Sequence, residues 1–94
     1  MEFTRSDIVK SSAGRDKGKC FFVMNVDSDF LLLADGKSRK VEQPKRKKAK
    51  HVLFLAKGPG RTAEKIRSEE IITNSELRRT LAVFGENGNP DQEG

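Results

Sequence analysis

The chain has 94 residues, 34% hydrophobic and 35% charged, with a net charge of +5, no Trp, no Tyr and one Cys. That composition permits one small core plus a tail, and it excludes an internal disulfide and any run near the roughly 20 apolar residues of a membrane span. The charge is uneven: residues 1–63 carry 15 Lys/Arg against 7 Asp/Glu, and residues 64–94 carry 4 against 7, as in a polyanion-binding domain followed by an acidic, solubilising or self-masking tail.

The opening Met1-Glu2-Phe3-Thr4-Arg5 lacks the basic and apolar regions of a signal peptide. With a lone Cys, this makes the cytoplasm the expected compartment. Ile8-Val9 begins a first strand, which empties into the cationic loop Ser11-Ser12-Ala13-Gly14-Arg15-Asp16-Lys17-Gly18-Lys19. Gly14 and Gly18 are expected to shape that loop, because glycine adopts backbone angles that a side chain forbids. A second strand runs from Lys19 to Val26. Its near-continuous apolar character predicts burial on both faces, as in a small closed barrel. Asp27-Ser28-Asp29 reads as a turn and Phe30–Ala34 as a third strand. Asp35-Gly36 is a hairpin signal, with Lys37–Gln43 returning as an exposed fourth strand ended by Pro44. Lys45–Lys50 reads as a basic loop, His51–Leu55 as a fifth strand, and Lys57-Gly58-Pro59-Gly60 as a break.

Residues 62–70 fit no single element. Thr73-Asn74-Ser75-Glu76 matches a capping box, with Ile72 and Leu77 as its hydrophobic staple. Leu77, Leu81 and Phe84 share one face of a predicted helix over 74–84, which Gly85 would end. The expected fold is therefore mainly β: a small antiparallel barrel of about five strands with a short C-terminal helix. The expected organisation is a barrel domain over 1–57, a linker over 58–73, the helix over 74–84 and a disordered acidic tail over 85–94.

Two features carry chemistry. The first is the loop, which raises Arg15, Lys17 and Lys19 above the end of a β-structure where phosphates are well met. It is no Walker loop, since no Gly-Lys-Ser/Thr follows and no helix opens after it. The second is a cluster of cations, Lys37, Arg39, Lys40, Lys45, Arg46, Lys47, Lys48 and Lys50, opposed within that stretch only by Glu42. Alone, such a run is as well explained by a solvated loop or a localisation signal. Joined to the glycine loop it points to nucleic acid.

Phe21, Phe22, Phe30 and Phe54 sit in the most apolar strands, where core packing is the leading reading. Base stacking competes with it, and Phe21 or Phe22 is the better candidate because only one of two adjacent strand residues points inward. Phe3 is placed to close the barrel's end. Catalysis has little to stand on: His51 is the lone histidine, Cys20 reads as a buried strand residue, and no metal set or acid–base pair can be built. No enzyme activity, cofactor or metal is expected.

The stretch Asp7-Ile8-Val9-Lys10, followed by Ala13-Gly14-Arg15-Asp16-Lys17-Gly18-Lys19 and an apolar strand ending Val26-Asp27, resembles the KOW motif of ribosomal proteins and NusG-type elongation factors. Phe30–Val41, with its Asp35-Gly36 turn and basic return, and Lys50-His51-Val52 are similar to KOW-containing large-subunit ribosomal proteins of archaeal and eukaryotic type. The resemblance spans about residues 5–56. Many KOW motifs have another glycine where Phe21 stands here. The resemblance implies an SH3-like β-barrel that binds ribosomal RNA through the first loop and neighbouring cations. Carried over, those positions are Arg15, Lys17 and Lys19, with Gly14 and Gly18 shaping the loop; with Lys10 and the 37–50 cluster, read from charge, they make up the expected RNA-contacting set.

The expected function is thus a non-enzymatic RNA-binding protein, ribosomal or ribosome-associated and monomeric off its partner, with no membrane contact. Ribosomal or transcription proteins are further expected partners. The competing reading is a protein-interaction module of the transcription or translation machinery, using the barrel edge or the stripe Leu77, Leu81 and Phe84.

Overall fold

Alternating side chains give every strand two faces, and here both faces of the central strand are apolar. In the computed structural model, which describes residues 2–84, the strands are β1 (Asp7–Ser11), β2 (Cys20–Asp27), β3 (Phe30–Ala34), β4 (Lys45–Lys48) and β5 (Val52–Lys57). They form one antiparallel sheet in the order β4-β3-β2-β1-β5. The expectation for 85–94 lies outside the described residues.

The sheet cannot be flat. Five strands at the usual spacing would set the edge strands about 19 Å apart. Yet β4 and β5 are joined only by one turn of 3-10 helix, Ala49–His51, which spans roughly 8 Å at about 2 Å per residue. The sheet therefore curls toward closure, giving the small barrel-like domain that the sequence predicts.

The curl creates an inner face. Val9, Phe21, Val23, Leu31, Leu33 and Val52 pack there, with Phe3 and Ala49 partly buried against them. The outer face carries Ile8, Cys20, Phe22 and Ala34, and two helices cover it. These are α1 (Gly60–Arg67), which brings Ile66, and α2 (Asn74–Ala82), which brings Leu77 and Leu81. Each of the larger apolar side chains, such as Ile8, Phe22, Leu77 and Leu81, contributes on the order of 1.5–3 kcal/mol by leaving water. Phe21 and Phe22 are both fully buried, one on each face, so neither is a stacking platform.

α2 begins as expected. The Thr73 hydroxyl accepts from the Glu76 amide, and the Glu76 carboxylate accepts from the Thr73 amide. Ile72 packs beside Leu77 in the outer cluster. The helix closes at Ala82, with Phe84 still packed against the core. α1 lies within the stretch read as a linker. Its buried side chains are Ala63 and Ile66, a stripe too narrow to register in the sequence. Among the described residues no helix is long and apolar enough to cross a membrane.

The fourth strand differs from expectation. Residues 37–43 form bends and turns, and the return strand is Lys45–Lys48, starting just after Pro44 rather than ending before it. The cause is local. The Asp35 carboxylate accepts from the backbone amides of Lys37 and Arg39 and from the Ser38 hydroxyl. That closes a wide loop in place of a two-residue hairpin. The Val41 amide then donates to Asn74 Oδ1 at 2.8 Å, tying the segment to α2 instead of β3. The stretch read as a basic loop is consequently β4 and the 3-10 turn.

Candidate nucleic-acid interface

β4 is made of Lys45-Arg46-Lys47-Lys48, and strand geometry sorts these four cations into two pairs. Lys45 and Lys47 lie opposite Leu33 and Leu31. Directly opposed residues share a face, so these two lysines point to the inner side with the leucines. Lys47 is only 8% exposed. A buried ammonium needs an anion and acceptors, and the glycine loop supplies them. Lys47 Nζ donates to Asp16 Oδ1 at 3.1 Å and to the Ala13 carbonyl at 2.9 Å. Lys45 Nζ lies 3.5 Å from Asp16 Oδ2, and the Ser11 hydroxyl donates to Asp16 Oδ1 at 3.1 Å.

Asp16 is buried in the same cluster. Burial alone would raise its pKa. Hydrogen bonds from Lys47 and Ser11, with the charges of Lys45 and Lys47, outweigh burial and hold it below its ordinary value of 3.8. Lys45 and Lys47, expected to meet RNA, are therefore engaged inside the molecule.

The consequence for the loop is a sorting of charge. Its one acid points inward, while Arg15, Lys17 and Lys19 are exposed and make no side-chain hydrogen bond or ion pair among the described residues. Gly14 and Gly18 have φ of +82° and +91°, the left-handed region in which a side chain is strained. They permit the turns in which the Lys17 amide donates to the Gly14 carbonyl and the Lys19 amide to the Asp16 carbonyl. An added Cβ at Gly18 would meet nothing within 4 Å, so backbone shape alone calls for glycine there.

The outward pair on β4 surrounds an aromatic ring. The Arg46 guanidinium sits 3.7 Å from the Phe30 centroid and also reaches Asp27 at 3.7 Å. Lys48 Nζ lies 6.0 Å from the same ring. Lys48 and Lys50 are exposed and unpaired among the described residues, and Lys10 is half-buried and likewise unpaired. Lys37, Arg39 and Lys40 project from the Asp35 loop, all exposed; Lys40 lies within electrostatic reach of Glu42.

Two links draw the loop and the β4–β5 connection together. Beside the Asp16–Lys47 pair, the Ser12 amide donates to the His51 carbonyl at 2.9 Å. The loop that carries the exposed cations is thus tied to the segment that carries Lys48 and Lys50. Elsewhere the cations are largely committed. Arg5 pairs with Glu69, Lys57 with Asp7, Arg61 with Glu64 and Glu70, and Lys65 with Glu76. Arg67 donates to the Ser6 hydroxyl, and Arg78 to the Gly36 carbonyl.

Of the stripe Leu77, Leu81 and Phe84, expected above as a partner face, Leu77 and Leu81 are buried in the outer cluster and Phe84 packs partly against it. What sequence reasoning missed is the internal role of Asp16. The available signal was a single acid between cations in a glycine-bracketed loop. No protein-family model and no curated protein matches this chain.

Proposed function

We infer that the protein is a non-enzymatic RNA-binding module, ribosomal or ribosome-associated and working in the cytoplasm, that contacts RNA phosphates through the loop cations Arg15, Lys17 and Lys19 and the neighbouring Lys48 and Lys50. One observation carries the reading: the loop turns its only acid into the fold, where two lysines neutralise it, and presents only unpaired cations to solvent. The resemblance of residues 5–56 to KOW domains supports the same assignment. So does the contrast with residues 57–70, where cations are paired with acids or a hydroxyl.

The test is the salt dependence of binding to an RNA hairpin with a single-stranded loop. Five phosphate contacts give a log–log slope of about −3.5 to −4.5. Between about 50 and about 200 mM salt, affinity then falls roughly 100- to 500-fold. An affinity that hardly changes over that range refutes the reading.

A second reading rests on the edge strand β5, where Leu53 is 56% exposed and Leu55 shares its alternation. An unpaired edge with apolar side chains can accept a partner's strand. Such an interface would be protein-directed and insensitive to salt, so the same titration separates the two.

A further inference from the structure

A groove opens beside the 3-10 turn that joins β4 to β5. Its volume is about 810 Å³, and its lining includes Phe3, Phe30, Phe54, Lys48, Lys50 and Asp29. That size lies within the roughly 300–1,000 Å³ of ligand clefts. Three of the six phenylalanines of the chain meet here, drawn from the N-terminal segment, β3 and β5. None of the three is fully buried, unlike Phe21 and Phe22. Two unpaired ammonium groups accompany the rings, against one carboxylate.

We propose that this groove is a binding site for an unstacked nucleobase of single-stranded RNA, with Lys48 and Lys50 meeting the flanking phosphates. The proposal rests on the RNA-binding reading above and adds to it a site with a different chemistry. The reason lies in the pairing of ring faces with cations. A base exposes two π-faces and sits between phosphates, so its site needs aromatic surface and positive charge within a few ångströms of each other.

Phe30 is already the base of a cation–π contact with Arg46, and Arg46 does not line the groove. A base stacked on the ring face that Arg46 leaves free would extend a stack of cation and ring. The groove also continues the phosphate track. Lys50 belongs to the turn whose His51 carbonyl receives the Ser12 amide at the root of the cationic loop. The backbone link therefore ties the segment that carries the loop cations to the segment that carries the groove's Lys50.

The experiment compares a single-stranded oligoadenylate with a blunt RNA duplex, which offers no unstacked base. Phe30→Ala and Phe3→Ala are expected to weaken single-strand binding about 5- to 150-fold per stacked base and to leave duplex binding and the salt slope unchanged. Retained duplex binding also reports that each variant is folded. Independently of any variant, titrating the unaltered protein with the oligoadenylate should shift the ring-proton NMR signals of Phe3, Phe30 and Phe54 and give contacts between those rings and base protons.

Unchanged single-strand affinity in both variants, or ring signals that do not move at saturation, overturns the groove assignment while leaving the loop reading intact. Competition by a polyglutamate peptide as strong as by the oligonucleotide also overturns it, in favour of an acidic protein segment. If the unaltered protein binds neither RNA, the loop reading and the groove fall together.

Discussion

Asp16 and Lys47, 31 residues apart in the chain, meet at 3.1 Å in a buried contact that joins the glycine loop to β4. The pair divides the basic cluster into cations that hold the fold and cations that face outward. Removing Asp16 leaves Lys47 buried and uncompensated, which costs about 3–5 kcal/mol, whereas removing Lys47 leaves Asp16 still faced by Lys45. Asp16→Ala is therefore expected to lower stability by that order in urea unfolding. Lys47→Met alone should cost less, and adding it to Asp16→Ala should recover part of the loss, since neither charge is then orphaned. Additive effects in this double-mutant cycle would show that the contact is not an energetic pair.

The outward cations are expected to behave in the opposite way. Arg15, Lys17 and Lys19 touch no acid, so replacing all three with Ala leaves the urea midpoint nearly unchanged. Each phosphate contact removed lowers the magnitude of the salt slope by about 0.7–0.9. The triple variant should therefore bind the RNA hairpin with a slope reduced by about 2 to 3. Lys45 and Lys47 give the reverse outcome, with stability affected and the slope hardly moved. A slope that stays put in the loop variant would place the RNA elsewhere on the protein.

Some of this was legible in the sequence, for reasons that differ by element. β2 could be read because the unbroken run Cys20-Phe21-Phe22-Val23-Met24 keeps apolar groups on both sides of a strand, and α2 because Thr73 and Glu76 satisfy each other's amides. β4 could not, since Lys-Arg-Lys-Lys shows no hydrophobic alternation. Its strand character comes from pairing with Phe30–Leu33, and its two inward lysines are tolerated only because Asp16 arrives from another loop. The groove was hidden for a similar reason. Phe3, Phe30 and Phe54 are far apart in the chain and come together through the curl, whereas the adjacent Phe21 and Phe22, which drew attention in the sequence, divide between the two faces of the sheet.

Acid should loosen the protein in two places. Glu76 accepts from Lys65 and from the Thr73 backbone, which lowers its pKa from 4.5 to about 2. A carboxyl depressed in the folded state contributes stability above its unfolded value and loses that contribution as pH falls through the folded one. The Glu76 contribution is thus complete above about pH 4.5 and fades toward pH 2. Asp16 is likewise depressed, so its contribution is complete above about pH 4 and is lost on further acidification. Thermal unfolding followed by circular dichroism should show the midpoint falling across this range. In Glu76→Gln the fall should be shallower and the midpoint lower at neutral pH. Identical pH profiles for the two proteins would remove Glu76 from the account.

The Asp35-Gly36 turn yields the last prediction. It does not form the hairpin that such a pair usually makes; it carries the chain against the start of α2. Gly36 has φ of +77°, and a Cβ there would stand 2.2 Å from the Asn74 carbonyl oxygen, a backbone atom that cannot swing away. Arg78 also donates to the Gly36 carbonyl, and Asn74 holds the Val41 amide. The turn and the helix are thus fastened at several points. Gly36→Ala meets two penalties at once: a left-handed backbone, worth on the order of 1–3 kcal/mol for a non-glycine residue, and a clash relieved only by moving α2. Because α2 covers Phe22 and Ala34, that movement exposes the outer cluster. The variant should unfold at lower urea by about 1–3 kcal/mol or more, and the amides of α2 should exchange with solvent faster than those of β2. Gly18→Ala supplies the control, since it shares the positive φ but has open space around it. If the two variants lose equal stability, the contact with Asn74 contributes nothing beyond backbone strain.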